Sequence, residues 1–389
     1  MEVADFKDSP VGQLVPIRVL DRSGVEVDHV AFAPSPLPHD LQLAPLTYKV
    51  LTEAALALGR LDQAPARLPA HQYLIRLAVR REAVSTSALE GTFTRFTDVF
   101  ESDYLDERVL SNSQREVRNY VRAAEWTYRQ LECRKLDFAL LCEAQALLLR
   151  GVPNQTHQSG RLRSEQAFIG SPERSVREAR FIPVPPGERL ADGIQAWEKW
   201  IHEEDDLPLI VRVALAHYQF EALHPFADGN GRLGRLAAIL QLLEAGAIGL
   251  PLLSLSPWLE ARKAAYQSHL LDVSRTGSFD PWICFFAEAV RDQAAAALER
   301  IDQIVDRGSM ISSYLRKKGV RGLALSIAES LVGYPVISIR AAADLHKVTF
   351  QGASRAISRL VEEGVLAEVT GRRSDRLFVC HEIHDVVAG

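Results

Sequence analysis

A short stretch between two helix-patterned segments constrains this chain more than any other feature. It runs from His224 to Arg235 and reads His-Pro-Phe-Ala-Asp-Gly-Asn-Gly-Arg-Leu-Gly-Arg. On either side of it, apolar residues recur every three or four positions over residues 209–223 and 232–244, which predicts two buried helices. Pro225 ends the first helix, and the second begins after a tight glycine-containing loop.

The loop between these helices has the composition of an anion-binding site. A helix N-terminus offers unpaired backbone N–H groups and a positive dipole, and Gly229 and Gly231 let the backbone approach a phosphate closely. Arg232 and Arg235 are three residues apart, so both guanidinium groups can turn toward one ligand. His224 adds an imidazole, whose pKa is about 6.5 when unperturbed. The residue types therefore predict a phosphate site with a base at its rim.

The whole stretch resembles the signature of Fic-domain (filamentation induced by cAMP) proteins, His-Pro-Phe-x-Asp/Glu-Gly-Asn-Gly-Arg-x-x-Arg, and matches every specified position. The resemblance implies transfer of AMP from ATP to a hydroxyl side chain of a target protein. It implies that His224 is the general base and that Asp228 holds Mg²⁺ at the phosphates. It also implies nucleotide binding by a run of residues with an anion hole at its start and arginines for the β- and γ-phosphates: Gly229, Asn230, Gly231, Arg232, Leu233, Gly234 and Arg235.

A second motif ends a helix that is predicted over residues 71–89. From its residues alone, a glycine cap at Gly91 with Glu90 in solvent is the better interpretation. However, the run from Thr86 to Gly91 also resembles the inhibitory motif of Fic proteins, Ser/Thr-x-x-x-Glu-Gly, in the subclass that carries it N-terminal to the core. That resemblance implies that Glu90 pairs with Arg235 in the place of the γ-phosphate. Thr86, on the same helical face, would support the carboxylate.

Residues 166–170 and 179–184 flank a polar loop and end in a proline-rich run, which is typical of a β-hairpin. The pattern fits an ordinary surface hairpin equally well. In Fic proteins a hairpin at this place is the flap that aligns the target's backbone by strand addition. Ala167 and Ser171 depart from the residues that are common in the family.

Tyr266 is the candidate contact for the adenine base. It lies in a segment predicted to be helical over residues 256–273, where family members commonly carry paired tyrosines, one of them packing on adenine. Here Ala265 stands beside it, so the pair is incomplete, and a core tyrosine remains the alternative interpretation.

Residues 312–389 are predicted to form a separate unit that looks like a winged helix. Helical patterns at 323–331, 338–345 and 349–363 precede two strand-like runs that bracket a basic turn. From Arg321 onward the unit holds eight Lys and Arg residues and eight Asp and Glu residues. DNA-binding modules usually carry a basic excess, so a protein-interaction role is favoured and DNA binding stays open.

The composition sets limits on location and partners. A net charge of −5 gives no global indication of a nucleic-acid or membrane partner. The four cysteines are scattered and fit free thiols in a reducing cytosol. No apolar run approaches the roughly 18–20 residues that span a bilayer. A cytoplasmic protein without a membrane partner is expected.

Together these patterns predict a mainly α chain with three parts. Residues 1–105 form an N-terminal region with the inhibitory helix, 106–305 a Fic helical core with a β-hairpin flap, and 312–389 the winged-helix-like domain. An autoinhibited adenylyltransferase, which also modifies itself and uses ATP and a protein target, is the favoured function. Removal of AMP from modified protein, and a DNA-binding regulator whose core senses a nucleotide, are the alternatives. Homodimerisation stays open.

Overall fold

Helices make up most of the computed structural model, which describes residues 1–20, 25–64, 72–170, 175–371 and 376–388. They are α1 (Pro45–Gln63), α2 (Gln72–Leu89), α3 (Phe96–Ser102), α4 (Asn112–Gln130), α5 (Phe138–Leu148), α6 (Glu188–His202), α7 (Leu209–Leu223), α8 (Asn230–Glu244), α9 (Ser256–Ala261), α10 (Lys263–Thr276), α11 (Phe279–Lys317), α12 (Leu323–Ser330), α13 (Ile339–His346), α14 (Phe350–Glu362) and α15 (His381–Ala388). The strands are β1 (Gly12–Leu20), β2 (Glu26–Pro34), β3 (Val336–Ser338), β4 (Ala367–Glu368) and β5 (Leu377–Val379). The prediction of a mainly α fold is confirmed.

Helices α7 and α8 form the centre of the core. Nearly every side chain of both helices is buried, because α7 also packs against α6, α10 and α11 while α8 packs against α2, α4 and α5. Two buried indoles hold α7 in place. Trp197 Nε1 donates to Ala216 O at 2.9 Å, and Trp282 Nε1 donates to Ala214 O at 2.8 Å. Buried N–H groups need such partners, so these bonds fix the helix that carries the predicted base.

The predicted helix bounds are wrong at two places after the core. The sequence pattern predicts a helix over residues 281–305, but this helix continues to Lys317 as α11, because Ile311 and Leu315 extend its apolar face onto α12. The segment predicted as one helix over 256–273 is divided into α9 and α10 at Arg262, whose φ of −124° and ψ of 29° are not helical. The predicted domain division stays a prediction.

The C-terminal unit contains a three-stranded antiparallel sheet in the order β3-β5-β4. One helix precedes β3, and α13 and α14 separate it from β4 and β5. The assignment of this unit as a winged helix stays a prediction. Its basic turn, with Arg372 and Arg373, lies outside the described residues. None of the helices in the described ranges combines the length and apolarity that crossing a bilayer requires.

The N-terminal residues form a hairpin that the sequence patterns did not predict. Strands β1 and β2 pair antiparallel from Gly12 with Pro34 to Leu20 with Glu26. The end of β2 then contacts the predicted flap, where Phe32 N donates to Ile182 O at 2.8 Å. The flap itself is paired only by an antiparallel bridge, between residues 169 and 181, in the part that is described; Ser171 lies outside it.

Candidate active site

The predicted base is the residue at which α7 ends. His224 adopts the left-handed conformation, with φ 49° and ψ 61°, and its N–H closes the helix on Phe220 O. Such a backbone is strained for a residue other than glycine and needs support from its surroundings. Arg163 supplies that support, since its Nε donates to His224 O at 2.8 Å and its N–H to Pro225 O at 2.9 Å. The same guanidinium also bonds Val184 O at the end of the flap.

Burial and a nearby cation keep the imidazole of His224 uncharged. Burial lowers the pKa of His224 to about 4, and the Arg163 guanidinium acts in the same direction. The Nδ1 atom is buried and has no hydrogen-bond partner among the described residues. A neutral imidazole near pH 7 can accept a proton, which is what a general base requires.

The loop after the base is held by its own asparagine. Asn230 Oδ1 accepts from Phe226 N at 2.8 Å, and Asn230 Nδ2 donates to Phe226 O at 2.8 Å. Gly229 takes a left-handed φ of 84° immediately before α8, and this residue has no side chain that could cap the helix. The first-turn N–H groups of α8 are therefore open to an anion. Asn230 shapes this anion hole and uses its side chain within the loop.

Asp228 has the properties that one Mg²⁺ ligand needs. Its Oδ1 accepts from Gly229 N at 2.7 Å, its Oδ2 accepts from Asn154 at 3.0 Å, and its side chain is 33% exposed. Mg²⁺ commonly uses one or two carboxylates and takes further oxygens from phosphate and water. This carboxylate beside a phosphate site fits such an ion. The described residues contain no cluster of three or more His, Cys, Asp or Glu side chains that could hold a metal.

The predicted partner of Arg235 lies beside it. Arg235 Nη2 donates to Glu90 Oε1 at 2.6 Å, and a Cβ added to Gly231 would collide with the same oxygen. The carboxylate therefore lies over the N-terminus of α8. Desolvation opposes the charged form of Glu90, but the Arg235 guanidinium, together with Arg232 and His224, outweighs it and holds the pKa of the carboxyl below its usual value.

Thr86 was predicted to support the Glu90 carboxylate. In the structure it accepts hydrogen bonds from the guanidinium of Arg235 instead. Arg235 Nε donates to Thr86 Oγ1 at 2.8 Å, and Arg235 Nη2 donates to Thr86 O at 3.1 Å. Helix α2 thus binds Arg235 through the hydroxyl and the backbone carbonyl of Thr86. The reason is that Arg235 approaches the side of α2 at Thr86, one helical turn before Glu90 at the end of the helix.

The other predicted phosphate ligand is also paired with acids. Arg232 is 3% exposed, and its Nη1 lies 3.3 Å from Glu116 Oε2 while its Nη2 lies 3.5 Å from Asp228 Oδ1. Glu116 also accepts a hydrogen bond from Thr92, which follows the inhibitory motif. The sequence patterns gave no signal for Glu116 or for the contacts of Arg163.

A cavity beside the loop brings most of the predicted residues together. Its lining comes from the end of α2, the flap, α7, α8 and α10, and includes Leu89, Glu90, Ile169, Phe181, Glu221, His224, Gly231, Arg235 and Tyr266. Asp228 and Arg232 lie at the adjoining loop. Leu233 and Gly234 turn inward instead, since Leu233 packs in the core and Gly234 lies against Phe220.

Tyr266 forms a wall of this cavity and is anchored from behind. It is 4% exposed, and its hydroxyl lies 2.7 Å from His217 Nε2. Burial lowers the pKa of His217 to about 3, so that this imidazole is neutral and can accept a hydrogen bond from the tyrosine or donate one to it. Trp282 and Phe286 pack around the pair. The predicted contact with adenine stays a prediction.

The helical core has a Fic fold, and the loop at the end of α7 leads into a helix N-terminus that is open to an anion. Residues 48–129 match the family described as Fic/DOC family N-terminal, and residues 135–242 match the Fic/DOC family. Residues 48–129 and 135–242 of this chain are therefore similar to the N-terminal and central regions of the Fic/DOC family.

Known relatives agree with this assignment. "Protein adenylyltransferase fic-1" of Caenorhabditis elegans is 32% identical over 135 residues, which are 34% of this chain and 23% of the relative. "Protein adenylyltransferase Fic" of Drosophila melanogaster is 30% identical over 135 residues, or 34% of this chain and 24% of the relative. The chain thus spans about a quarter of the length of these curated relatives. The crystal structure of a Fic family protein from Desulfovibrio desulfuricans shares the fold, with a TM-score of 0.55 and 20% identity over 87% of this chain and 97% of that one.

Proposed function

We propose that this chain is an autoinhibited protein adenylyltransferase. It transfers AMP from ATP to a Tyr, Thr or Ser hydroxyl of a target protein, or of itself, and releases pyrophosphate. The observation that carries the proposal is the Glu90 carboxylate, which bonds Arg235 and packs over Gly231 at the N-terminus of α8. An acid held at that helix end occupies a place suited to a phosphate.

In the proposed reaction, the hydroxyl oxygen of the target attacks the α-phosphorus of ATP. A new P–O bond forms to the target, the bond from the α-phosphorus to the β-phosphate bridging oxygen breaks, and pyrophosphate leaves with those electrons. The hydroxyl proton passes to the imidazole of His224, which is neutral because its pKa is lowered to about 4. Backbone N–H groups at residues 229–231 and the Arg232 guanidinium stabilise the developing charge.

Asp228 is the residue that would hold Mg²⁺. When bound, the ion supplies positive charge that neutralises phosphate oxygens during transfer. The hydrogen bonds from Gly229 and Asn154 orient the carboxylate, and its exposed side is left for the ion.

Autoinhibition follows from competition for one guanidinium. Arg235 bonds Glu90 and Thr86 at once, so that it is fixed toward α2. A γ-phosphate needs the same N–H groups, and a carboxylate beside it is also repelled by like charge. ATP that binds while Glu90 stays in place is therefore held in a pose in which the α-phosphorus is not aligned for attack.

The flap and α10 complete the proposed substrate sites. The adenine packs on the cavity wall formed by Tyr266, while the target's backbone adds to the flap near Ile169 and Phe181. The backbone bond from Phe32 to Ile182 supports the flap from the side of β2. We further propose that the C-terminal unit contacts protein partners.

Removal of AMP from a modified protein is the second candidate. The side chain of Glu90 is 38% exposed and shares the cavity with His224. A carboxylate in that position can orient a water molecule toward the phosphorus of an AMP-modified side chain. Glu90 would then be required for activity, whereas in the transferase it restrains activity.

The two candidates are separated by incubating purified protein and cell lysate with labelled ATP, followed by mass spectrometry. We expect Glu90→Gly to raise AMP incorporation by on the order of 10- to 100-fold, which is the range for losing one charge-assisted hydrogen bond. Adding His224→Ala to Glu90→Gly should lower transfer by about 10²–10⁴-fold while ATP still binds.

Arg235→Ala is the matched control, because it breaks the same pair from the other side. It should not raise transfer, since the γ-phosphate loses its own ligand. Equal and low incorporation by wild type and Glu90→Gly would contradict the proposal. Loss of AMP from pre-modified protein that requires Glu90 would favour the second candidate.

A further inference from the structure

Glu221 is a carboxyl group in the cavity that the reaction above leaves without a role. It lies on α7, three residues before His224, and lines the same cavity as the base. Its Oε1 atom is buried and has no hydrogen-bond partner among the described residues. The site is tightly packed, because a Cβ added to Gly234 would lie 2.6 Å from that oxygen.

A buried carboxyl oxygen without a donor is unfavourable, since the group has lost water and gained no partner. Burial raises the pKa of Glu221 to about 7; the Arg235 guanidinium opposes this shift, and the Glu90 carboxylate adds to it. Glu221 lines the cavity, so a ligand there that donates a hydrogen bond to its carboxyl group would offset this loss. The geometry thus indicates a donor group on the nucleotide.

The phosphates bring acceptors and no donor. The ionised carboxylate repels them, whereas Arg235 and the N-terminus of α8 attract them. The remaining donors of ATP are the ribose hydroxyls and the adenine amino group. One helical turn rises about 5.4 Å, so Glu221 lies within about one turn of His224 along α7. In the proposed reaction the α-phosphorus is beside His224, and the ribose is the next group along the nucleotide.

We propose that Glu221 accepts a hydrogen bond from a ribose hydroxyl of the bound nucleotide and thereby fixes the sugar while the α-phosphate lies beside His224. The assignment rests on the proposed adenylyltransferase function and adds to it a residue that selects ribonucleotides over deoxyribonucleotides. It also gives the cavity a direction. Arg235 and the start of α8 bind the phosphate end, and Glu221 binds the sugar.

The test is a comparison of ligand affinities with and without the carboxyl group. The parent protein is the full chain with Glu90→Gly and His224→Ala, which admits ATP and does not consume it. Isothermal titration calorimetry gives its Kd for ATP, 2′-deoxy-ATP, 3′-deoxy-ATP and ITP. We expect ATP to bind on the order of 10- to 100-fold more tightly than at least one deoxy analogue. Adding Glu221→Ala should bring that ratio to about one.

The ratio isolates the contact, because any repulsion between Glu221 and the phosphates affects ATP and its deoxy analogues equally. Glu221→Gln keeps the shape and one acceptor oxygen, so it should retain part of the discrimination and serves if the alanine variant unfolds. Gln267→Ala is the matched control: Gln267 lines the same cavity and pairs with Arg180. It should leave the ratio unchanged.

The remaining outcomes are distinguishable from one another. A ratio that Glu221→Ala and Glu221→Gln leave unchanged, in a parent that binds ATP, overturns the role of Glu221 alone. If the Glu221 variants lose the discrimination against ITP but keep the discrimination against the deoxy analogues, the contact belongs to the adenine amino group and the ribose assignment is overturned. A parent that does not bind ATP overturns this inference together with the proposed function.

Discussion

The cavity has two walls that are held by different kinds of interaction. On one side, α2 meets α8 through charged groups, namely Glu90 and Thr86 on Arg235. On the other side, the described part of the flap meets the N-terminal residues through a backbone hydrogen bond from Phe32 to Ile182 and a cluster of three phenyl rings. Phe6, Phe32 and Phe181 lie with their ring centroids 5.5–6.0 Å apart.

The difference concerns how each wall can change. A buried guanidinium depends on a few acceptors in fixed directions, so a single substitution or one phosphate can rearrange that wall. Aromatic packing is spread over many weak contacts and has little dependence on charge. We infer that the charged wall is the part that regulates access, whereas the aromatic wall keeps the flap in position.

The largest expected effect in this comparison comes from Phe32→Ala in the aromatic wall. Phe32 is fully buried, and removal of a buried phenyl group usually costs about 3–5 kcal/mol. The loss should open the flap, so amide hydrogen exchange at Ile169 and Arg180 should accelerate by on the order of 10²–10³-fold. Mass-spectrometric exchange of the full chain measures this change.

Leu20→Ala is the control on the same hairpin, because Leu20 is 65% exposed. It should change exchange at the flap by less than a factor of about two. Raising the salt concentration should not alter either result. If Phe32→Ala leaves the flap amides protected, the hairpin does not hold this wall and the comparison fails on that side.

A smaller effect is expected from Thr86→Val in the charged wall. Valine keeps the shape of threonine but leaves Arg235 Nε without its acceptor, which costs about 1–3 kcal/mol for a buried donor. The unfolding temperature should fall. Glu90→Gly should then raise transfer less than it does with Thr86 present, because Thr86 no longer orients Arg235. Thermal unfolding and AMP incorporation measure the two changes.

Ser87→Ala provides the neighbouring control on α2. Ser87 is also buried, but its Oγ has no hydrogen-bond partner among the described residues. Removing that hydroxyl should leave the unfolding temperature unchanged or slightly higher. Equal losses for the valine and alanine variants would mean that Thr86 acts through packing and does not orient Arg235.

The two walls also differ in how well the sequence predicts them. The charged wall was predicted by the resemblance of two motifs to those of Fic proteins, whereas the residue types alone favoured Glu90 in solvent. Even there Thr86 was assigned to the wrong partner, since a helical face does not say which atom of a neighbouring helix approaches it. Glu116 was missed because a single acid on an amphipathic helix is usually solvated.

The sequence patterns did not predict the aromatic wall. Phe6 and Phe32 lie 26 residues apart in a segment without helical periodicity, and their contact with Phe181 depends on tertiary packing alone. No pattern in residues 1–44 indicated that two strands would pair there. The end of α11 was mispredicted for a related reason, because its apolar face continues past the core onto α12.

The smallest expected effect concerns pH at the junction of the two walls, where Arg163 bonds both His224 O and the flap at Val184. A base must be unprotonated to act, and protonation below its pKa removes it. Burial and Arg163 lower the pKa of His224 to about 4. Single-turnover transfer by Glu90→Gly, measured at saturating ATP so that titration of Glu221 near pH 7 does not limit binding, should therefore stay nearly constant from pH 8 to pH 6 and decline only as the pH approaches about 4. An ordinary histidine would give a decline near pH 6.5. A midpoint near pH 6.5 would show that the loop opens to water before reaction. It would also mean that Arg163 and burial do not set the pKa of His224 in the reacting state.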